Sequence, residues 1–370
     1  MVGAGQLARM SLAPAVALGV GFRVLAGSAG ESAAQVVPDP MVADEKAFVD
    51  LEAFAAGVDV VTFDHEQVPP PHLQALESAG VVVRPGSAAL LHAQDKGVMR
   101  SRLTSLGIPC PRWAIVKSPA DVKTFGLPAV LKTTRGGYDG KGVWMVSDDT
   151  EPDVVAEPFL AGVPVLAEEQ VAYARELAAV VARSPHGLAV AYPVVESVQR
   201  EGICVEVVAP APGLSSDAAV EAQRIALTIA HELDVVGILA VELFETTDGR
   251  ILVNELAMRP HNSGHWTIDG AVTSQFENHL RAVLDLPLGS PAARAPVTVM
   301  VNILGGDLAE IYPAYRHVLA RDPELKVHWY GKGVRPGRKV GHVTVTGTDV
   351  ASLRERAWHA ADYIAGVVDE

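Results

Sequence analysis

The sequence predicts a three-domain chain, α/β at its start and α+β after it, and three observations carry that prediction. A chain of 370 residues is longer than one hydrophobic core usually organises, so it divides. Residues 1–93 alternate short apolar runs with helical stretches behind a glycine turn, the pattern of a small parallel-sheet domain. From 94 onward, apolar runs follow one another through tight turns, as antiparallel strands do, with helices set between them. The expected domains are 1–93, 94–285 and 286–370.

In the first domain, "GAGQLARMSLAPAVALGVGFRVLAG" reads as a glycine turn, a helix and a strand at Phe22–Ala26. Further strands are expected at Val58–Phe63 and Val81–Val83. A buried strand normally precedes such a turn, yet only Met1 and Val2 stand there. Either the native start lies upstream or most of the first strand is missing. The turn alone is a weak sign of a dinucleotide site. The acidic residue that should cap the second strand is absent, and "RVLAGSAGES" offers only a displaced Glu31, so NAD is set aside.

In the second domain, "HAQDKGVMRSRLTSLGIPCPRW" predicts a helix over Asp95–Leu106, with Val98, Leu103 and Leu106 inward and Gly107 ending it. "LPAVLKTT" is a short buried strand closing on Lys132, and "VWMV" at 143–146 is another. Between them "KTTRGGYDGKGV" gathers Lys132, Arg135 and Lys141 on glycine-rich backbone. Glycine costs folding entropy and buries no side chain, so the return is close approach to an anion. Walker A spacing is absent, which makes the loop a flap joining two antiparallel strands. Further strands follow around a Ser-Pro-His-Gly turn. "DAAVEAQRIALTIAHELDV" is an amphipathic helix with Ala222, Ile225, Ala226, Ile229 and Leu233 on one face. "VTVMVNILG", "VHWYGKGVRPGRKVGHVTV" and a terminal helix near Leu353–Ile364 make the third domain.

Composition narrows the function. With a net charge of −14, the chain is no general binder of nucleic acid or anionic membrane, and phosphate-handling cations must be local clusters. Cys110 and Cys204 stand far apart, outside disulfide or zinc patterns, which fits a reducing cytosol. No run of apolar residues is long enough to span a bilayer. Arg9 followed by "MSLAPAVALGVGF" is only a loose likeness of a secretory leader.

"GILAVELFETTDGRILVNELAMRP" is the most informative stretch. Two β-type runs flank Asp248-Gly249, a strong hairpin signal. With those two residues as the turn, Thr247 faces Arg250, Phe244 faces Val253 and Glu242 faces Glu255. Opposed like charges are destabilising, and apolar neighbours deepen the penalty. A hard divalent cation relieves it, and Mg2+ commonly takes one or two carboxylates plus substrate phosphates. Asn254 joins them only if the strand bulges. A glycine loop with cations beside a carboxylate pair is what phosphoryl transfer from Mg-ATP requires.

At these residues the chain resembles a known family. "DK" at 95–96, "LKTTRGGYDGKG", "EEQV" at 168–171, Glu176, "VELF" at 241–244 and "NELAMRPHNSGHWT" at 254–267 resemble the ATP-grasp superfamily. "GQLARM", "GGYDGKG", "RPHNSGHWT" and "RPGRKVGH" together resemble its N5-carboxyaminoimidazole ribonucleotide synthetase family, across all three domains. The resemblance implies an ATP-grasp fold with a Rossmann-like pre-ATP-grasp domain and a small C-terminal α+β domain. It also implies an ATP- and Mg2+- (or Mn2+-) dependent ligase of purine biosynthesis. Its substrates would be 5-aminoimidazole ribonucleotide and bicarbonate, and it would be a cytoplasmic homodimer.

The resemblance carries over position by position. Lys96 and Lys132 would contact ATP phosphates, beneath a flap of Gly137, Tyr138, Asp139, Gly140, Lys141 and Gly142. Glu168, Glu169, Gln170 and Val171 would line adenine, Glu176 would bind ribose, and Gln199 would be a further nucleotide contact. Glu242 and Glu255 would hold the metal with Asn254 near, and Arg259 would sit beside the transferring phosphoryl group. Gln6, Leu7, Glu66, Asn262 and Ser263 would shape the substrate end. Lys332 and Arg338 would grip its 5′-phosphate, with Asp139 near its amine. Asp139 and His261 are both candidates for the proton-accepting base. The chain departs from the family at Ala4, Ala8, Asp64 and Gln67, where glycine, glycine, glutamate and histidine are usual. Trp266 reads as core, His231 as surface, and His265 as either packed or functional. A formate-using transformylase of the same superfamily, or a non-catalytic nucleotide binder, would share part of this pattern.

Overall fold

A computed structural model describes residues 1–137, 142–306 and 311–368. The flap positions Tyr138, Asp139, Gly140 and Lys141 lie outside the described residues.

In the first domain β1 (Leu25–Ala26) and β2 (Met41–Val42) pair in parallel. Single-residue bridges extend the sheet from Leu25 to Val2, from Val2 to Phe63, and from Val61 to Val83. The strands expected at Phe22–Ala26, Val58–Phe63 and Val81–Val83 therefore pair over two residues or one. Val2 is fully buried, and the Met1 amine donates to the Arg23 carbonyl at 2.7 Å.

The glycine turn has a specific steric reason. Gly3 sits at φ +88°, and a Cβ there would lie 2.7 Å from the His65 ring. A Cβ on Gly5 would lie 2.3 Å from the Asp64 carboxylate. That space lets Asp64 accept from the Gly5 and Ala8 N–H groups at the start of the helix Gln6–Leu18. An anion thus already occupies the helix end where a pyrophosphate would bind. Ala4 and Ala8 are buried, small enough for the turn to close.

The next strands form two antiparallel sheets. β3 (Trp113–Val116), β4 (Ala129–Thr133), β5 (Val143–Val146) and β6 (Val165–Glu169) make a sheet of order β3-β6-β4-β5. The glycine-rich stretch joins β4 to β5, as a flap between antiparallel strands should. The second sheet begins with β7 (Tyr173–Arg183), β8 (Ala189–Ala191), β9 (Val195–Arg200) and β10 (Ile203–Ala209). It continues through β11 (Gly237–Thr246), β12 (Ile251–Ala257), β13 (Val297–Leu304), β14 (Lys326–Trp329) and β15 (Lys339–Gly347). Its order is β12-β11-β7-β9-β10-β13-β15-β14, with β8 also on β7. Because β10 pairs with β13, this sheet runs without a break across position 286.

Helices cover the faces as the periodicity requires. Ser216–Glu232, capped by Ser215, buries Ala222, Ile225, Ala226 and Ile229 against β7 and β11, and Leu233 is buried just beyond it. The terminal helix Val350–Ala365 packs on β13 and β15. In the helix Lys96–Ser105, capped by Asp95, the buried residues are Met99, Arg100 and Leu103. Val98 and Leu106, expected inward, are only half-buried, because the helix turns Arg100 toward the core.

The hairpin differs from expectation in two ways. Thr246 and Arg250 close it through a 2.9 Å bond, and Gly249, at φ +84°, donates to Thr246. The loop is therefore Thr247-Asp248-Gly249, with a left-handed third residue. Phe244 faces Leu252 and Leu243 faces Val253, one position from the expected register. A bulge at Asn254 then restores it, so Glu242 faces Glu255 as expected.

Candidate active site

β11 and β12 end in a cleft of about 990 Å³ that also touches the four-stranded sheet, the helix Lys96–Ser105 and the start of β15. The bulge decides what faces it. One extra residue on β12 puts two consecutive side chains on one side of the strand. Asn254 and Glu255 are accordingly both half-buried, between buried Val253 and Leu256. The condition under which Asn254 joins the carboxylates is met.

Glu242, the partner of Glu255, is pushed up to about pH 7 by burial, then by the charges of Glu255 and Glu176. Lys96 Nζ lies 2.6 Å from Glu255. Lys132 Nζ lies 2.7 Å from Glu168 and 3.1 Å from Asn254 Oδ1. Of the two lysines expected on ATP phosphates, Lys96 thus stands on the carboxylate pair and Lys132 beside it, at Asn254 and Glu168. Arg135 is drawn off by Asp95, at 2.7 Å.

This donor set fits a hard divalent cation. Two carboxylates and an amide oxygen, crowded enough that one carboxylate holds its proton near neutrality, suit Mg2+ or Mn2+ with phosphate oxygens completing the shell. No group of three or more His, Cys, Asp or Glu suited to a metal occurs among the described residues.

At the nucleotide end Glu168, Glu169, Gln170, Val171, Glu176 and Gln199 line the cleft, as does Gly137. The Glu168 side chain, 2% exposed, is taken up by Arg100 and Lys132. Burial raises its pKa, but Lys132 and then Arg100 outweigh that and hold it below the usual range. The adenine contact that the resemblance implies at 168 would therefore fall to the backbone. Glu169 accepts from the Arg112 N–H at 2.9 Å. Glu176 is raised by burial and receives Tyr173 at 3.3 Å. Gly142, at φ +73°, bonds back to Thr133, whose hydroxyl would meet a Cβ at 2.7 Å.

At the opposite end Arg259 Nε holds Glu66 at 2.7 Å. Burial disfavours its charge, yet Glu66 keeps the guanidinium above its ordinary value. His261 is lowered to about 3 by burial, then by Arg259 and Lys339. His261 Nδ1 lies 2.9 Å from the Ser263 hydroxyl and 3.4 Å from its N–H, and Nε2 lies 3.5 Å from Glu242. Asn262 lines the cleft and exchanges bonds with Asn302. Ser263 is buried and reaches the cleft only through His261.

Some expected residues lie elsewhere. Leu7 is buried. Gln6 accepts from Lys332, which lines a separate hollow with Tyr312 and Trp329. Arg338 is exposed and donates to the Gly333 carbonyl at 3.1 Å. Asp139 and its flap neighbours 138, 140 and 141 fall outside the described residues. Trp266 is core, His265 is packed and fully buried, and His231 is exposed.

Sequence reasoning missed three features. Lys339, inside the matched "RPGRKVGH", lines the cleft. Tyr173 stacks on Phe244 at 4.8 Å on its wall, a pairing that alternation of β11 against β7 could have suggested. Arg100 carried no signal at all.

Comparison with known proteins agrees across the whole length. Residues 1–94 match the ribonucleotide synthetase preATP-grasp domain, 101–276 the ATP-grasp domain, and 298–356 the phosphoribosylaminoimidazole carboxylase C-terminal domain. The chain is 55% identical to an N5-carboxyaminoimidazole ribonucleotide synthase of Mycobacterium tuberculosis, over 99% of this chain and 87% of that protein. The crystal structure of the synthetase from Thermus thermophilus superposes with a TM-score of 0.87 at 39% identity, covering 100% of this chain and 99% of the other. The Aspergillus clavatus enzyme, solved with ADP and 5-aminoimidazole ribonucleotide, gives a TM-score of 0.88 at 31% identity, over 98% of each chain. The chain belongs to the N5-carboxyaminoimidazole ribonucleotide synthase family, ATP-dependent ligases of purine biosynthesis built on the ATP-grasp fold.

Proposed function

We propose that the chain transfers the γ-phosphoryl group of ATP to bicarbonate and delivers the resulting carboxyl group to the exocyclic amine of 5-aminoimidazole ribonucleotide. In the first step a bicarbonate oxygen bonds to phosphorus as the bond to ADP breaks, giving carboxyphosphate. In the second the amine nitrogen bonds to carbon, phosphate leaves, and the amine gives up a proton. The products are the N5-carbamate, ADP and phosphate.

The observation that carries this reading is the registered pair Glu242–Glu255 with Lys96 and Lys132 at its edge. Glu242 and Glu255, with Asn254 beside them, would hold Mg2+ or Mn2+, which when bound offsets the charge of the phosphate oxygens. Lys96 and Lys132 supply fixed positive charge to the same oxygens. Arg259, held by Glu66, presents its fork to the transferring group. Burial lowers the His261 pKa to about 3, which keeps the ring neutral, and its Nε2 faces Glu242 at 3.5 Å. The ring suits donating a hydrogen bond to the carboxyl oxygen, which leaves proton removal to another group, with Asp139 the candidate on the flap. Carboxyphosphate hydrolyses quickly, and a glycine-rich flap between β4 and β5 suits the exclusion of water. A homodimer in the cytoplasm belongs to the same reading.

ADP release, measured with and without bicarbonate and 5-aminoimidazole ribonucleotide, tests it. Release should need both, formate should not replace bicarbonate, and Glu255→Gln should lose Mg2+-dependent turnover while staying folded. Full activity in that variant would overturn the metal assignment, and ribonucleotide-independent release would overturn the reaction.

A further inference from the structure

We propose that Arg100, which is not among the residues lining the cleft, is a positioning residue that fixes the β12 bulge and thereby sets Glu255 and Lys132 for ATP and metal. The inference rests on the reading of Glu242 and Glu255 above and adds a residue to it.

Arg100 is fully buried, an environment in which a charged side chain is costly unless every group is matched. Its three named partners match it. Nε donates to Glu168, one terminal nitrogen donates to the Val253 carbonyl at 3.0 Å, and the other to the Asn254 carbonyl at 2.6 Å. The last two flank the bulge.

A bulge needs such a partner. The extra residue breaks the ladder and leaves backbone groups unpaired. β12 is also the edge strand of its sheet, so no further strand can take them up. The Val253 N–H goes to the Pro109 carbonyl at 2.9 Å, and the two neighbouring carbonyls go to the planar fork of Arg100. A lysine at this place, with one point charge, cannot span two carbonyls and a carboxylate.

The same guanidinium reaches the cations of the cleft. Its acceptor Glu168 also binds Lys132, and Lys132 binds the side chain of Asn254. Arg100, Glu168, Lys132 and Asn254 therefore close a ring that joins one helix, both sheets and the bulge. Four residues earlier on the helix, on the same face, Lys96 pairs with Glu255. One rigid helix thus presents two cations to three consecutive residues of β12.

Steady-state kinetics of Arg100→Lys and Glu168→Gln test the proposal, with folded fraction followed by circular dichroism and Arg102→Ala, on the exposed side of the helix, as control. Removing a group that orients ligands typically costs about 10–100-fold in metal affinity or activity. Both variants should raise the half-saturating Mg2+ and the KM for ATP by about tenfold or more, while the KM for 5-aminoimidazole ribonucleotide stays within about twofold. A double variant should lose less than the product of the two single losses, because the residues act in one ring. A purely structural role would lower the thermal midpoint and leave Mg2+ and ATP saturation of the folded protein unchanged, and that result overturns the proposal. Equal losses for all three substrates overturn it as well. If Glu255→Gln keeps full activity while Arg100→Lys shows the split, the metal assignment fails and the positioning of ATP by this ring stands.

Discussion

Glu242→Gln should make the metal-free protein more stable while abolishing its metal response. Burial and the facing Glu255 raise Glu242 to about 7 from an unfolded value of 4.5. Each pH unit between the two values is worth about 1.36 kcal/mol. With its side chain 29% exposed, ionised Glu242 costs the metal-free fold on the order of 2–3 kcal/mol above pH 7. The sign follows from linkage. The folded state holds the proton more tightly, so the cost is absent below the unfolded value, grows through the interval, and is complete above the folded one. Glutamine keeps the shape and the acceptor near His261 but never ionises. In EDTA the variant should therefore melt above the parent at pH 8 and level with it near pH 4.5. Adding Mg2+ to the protein with ATP, whose phosphate oxygens complete the metal shell, should raise the parent's midpoint beyond that with ATP in EDTA and leave the variant's unchanged by the metal. Thermal unfolding across this pH range checks both. A variant no more stable than the parent at pH 8, or a difference independent of pH, would refute the reasoning.

Gly264→Ala should disturb both stability and turnover, because its Cβ would lie 2.3 Å from the Gln275 amide oxygen. Gln275 is fully buried and brackets His261, accepting from its N–H at 2.9 Å and donating to its carbonyl at 2.7 Å. Overpacking of about 1–3 kcal/mol and two hydrogen bonds at about 1 kcal/mol each set the loss, read by thermal unfolding beside ADP release; a parental midpoint contradicts it. Glu45→Gln should lower the melting temperature at pH 6 but not at pH 9. Burial lowers the His65 pKa, but Glu45, 3.0 Å away, outweighs it and raises the net value, while Glu45 is lowered by that bond. The His65 contribution is complete below its unfolded value of 6.5 and fades as pH rises through its folded one; that of Glu45 is lost as pH falls through its own. The pair, about a quarter exposed, is worth about 1 kcal/mol, and an equal loss at both pH values would contradict the assignment.

What the sequence made legible was local chemistry, and what it hid was set by partners. Asp248-Gly249 marks the hairpin, and alternation along "VELF" and "NELA" places two carboxylates near one another. The loop, however, holds three residues, which alone would have set Glu242 against Asn254. The bulge at Asn254 removes that offset, and nothing in the local sequence announces a bulge. Its backbone partner is Arg100, some 150 positions earlier. Apolar periodicity assigns a charged residue to the outer face of a helix, so Arg100 was invisible for the same reason that it matters. The short lanes of the first domain follow the same rule: "VDVVTF" has the composition of a full strand, but it pairs only at Phe63 with Val2 and at Val61 with Val83. Arg338 belongs to a matched motif and Lys332 stands three residues before it, yet where Lys332 reaches depends on how its loop lies against Gln6, which no spacing encodes. The carboxylate pair is thus a property of two offsets that cancel, one from the turn and one from the bulge. A change at either alone, such as one residue removed from Thr247-Asp248-Gly249, should separate the carboxylates even though both glutamates remain in the chain.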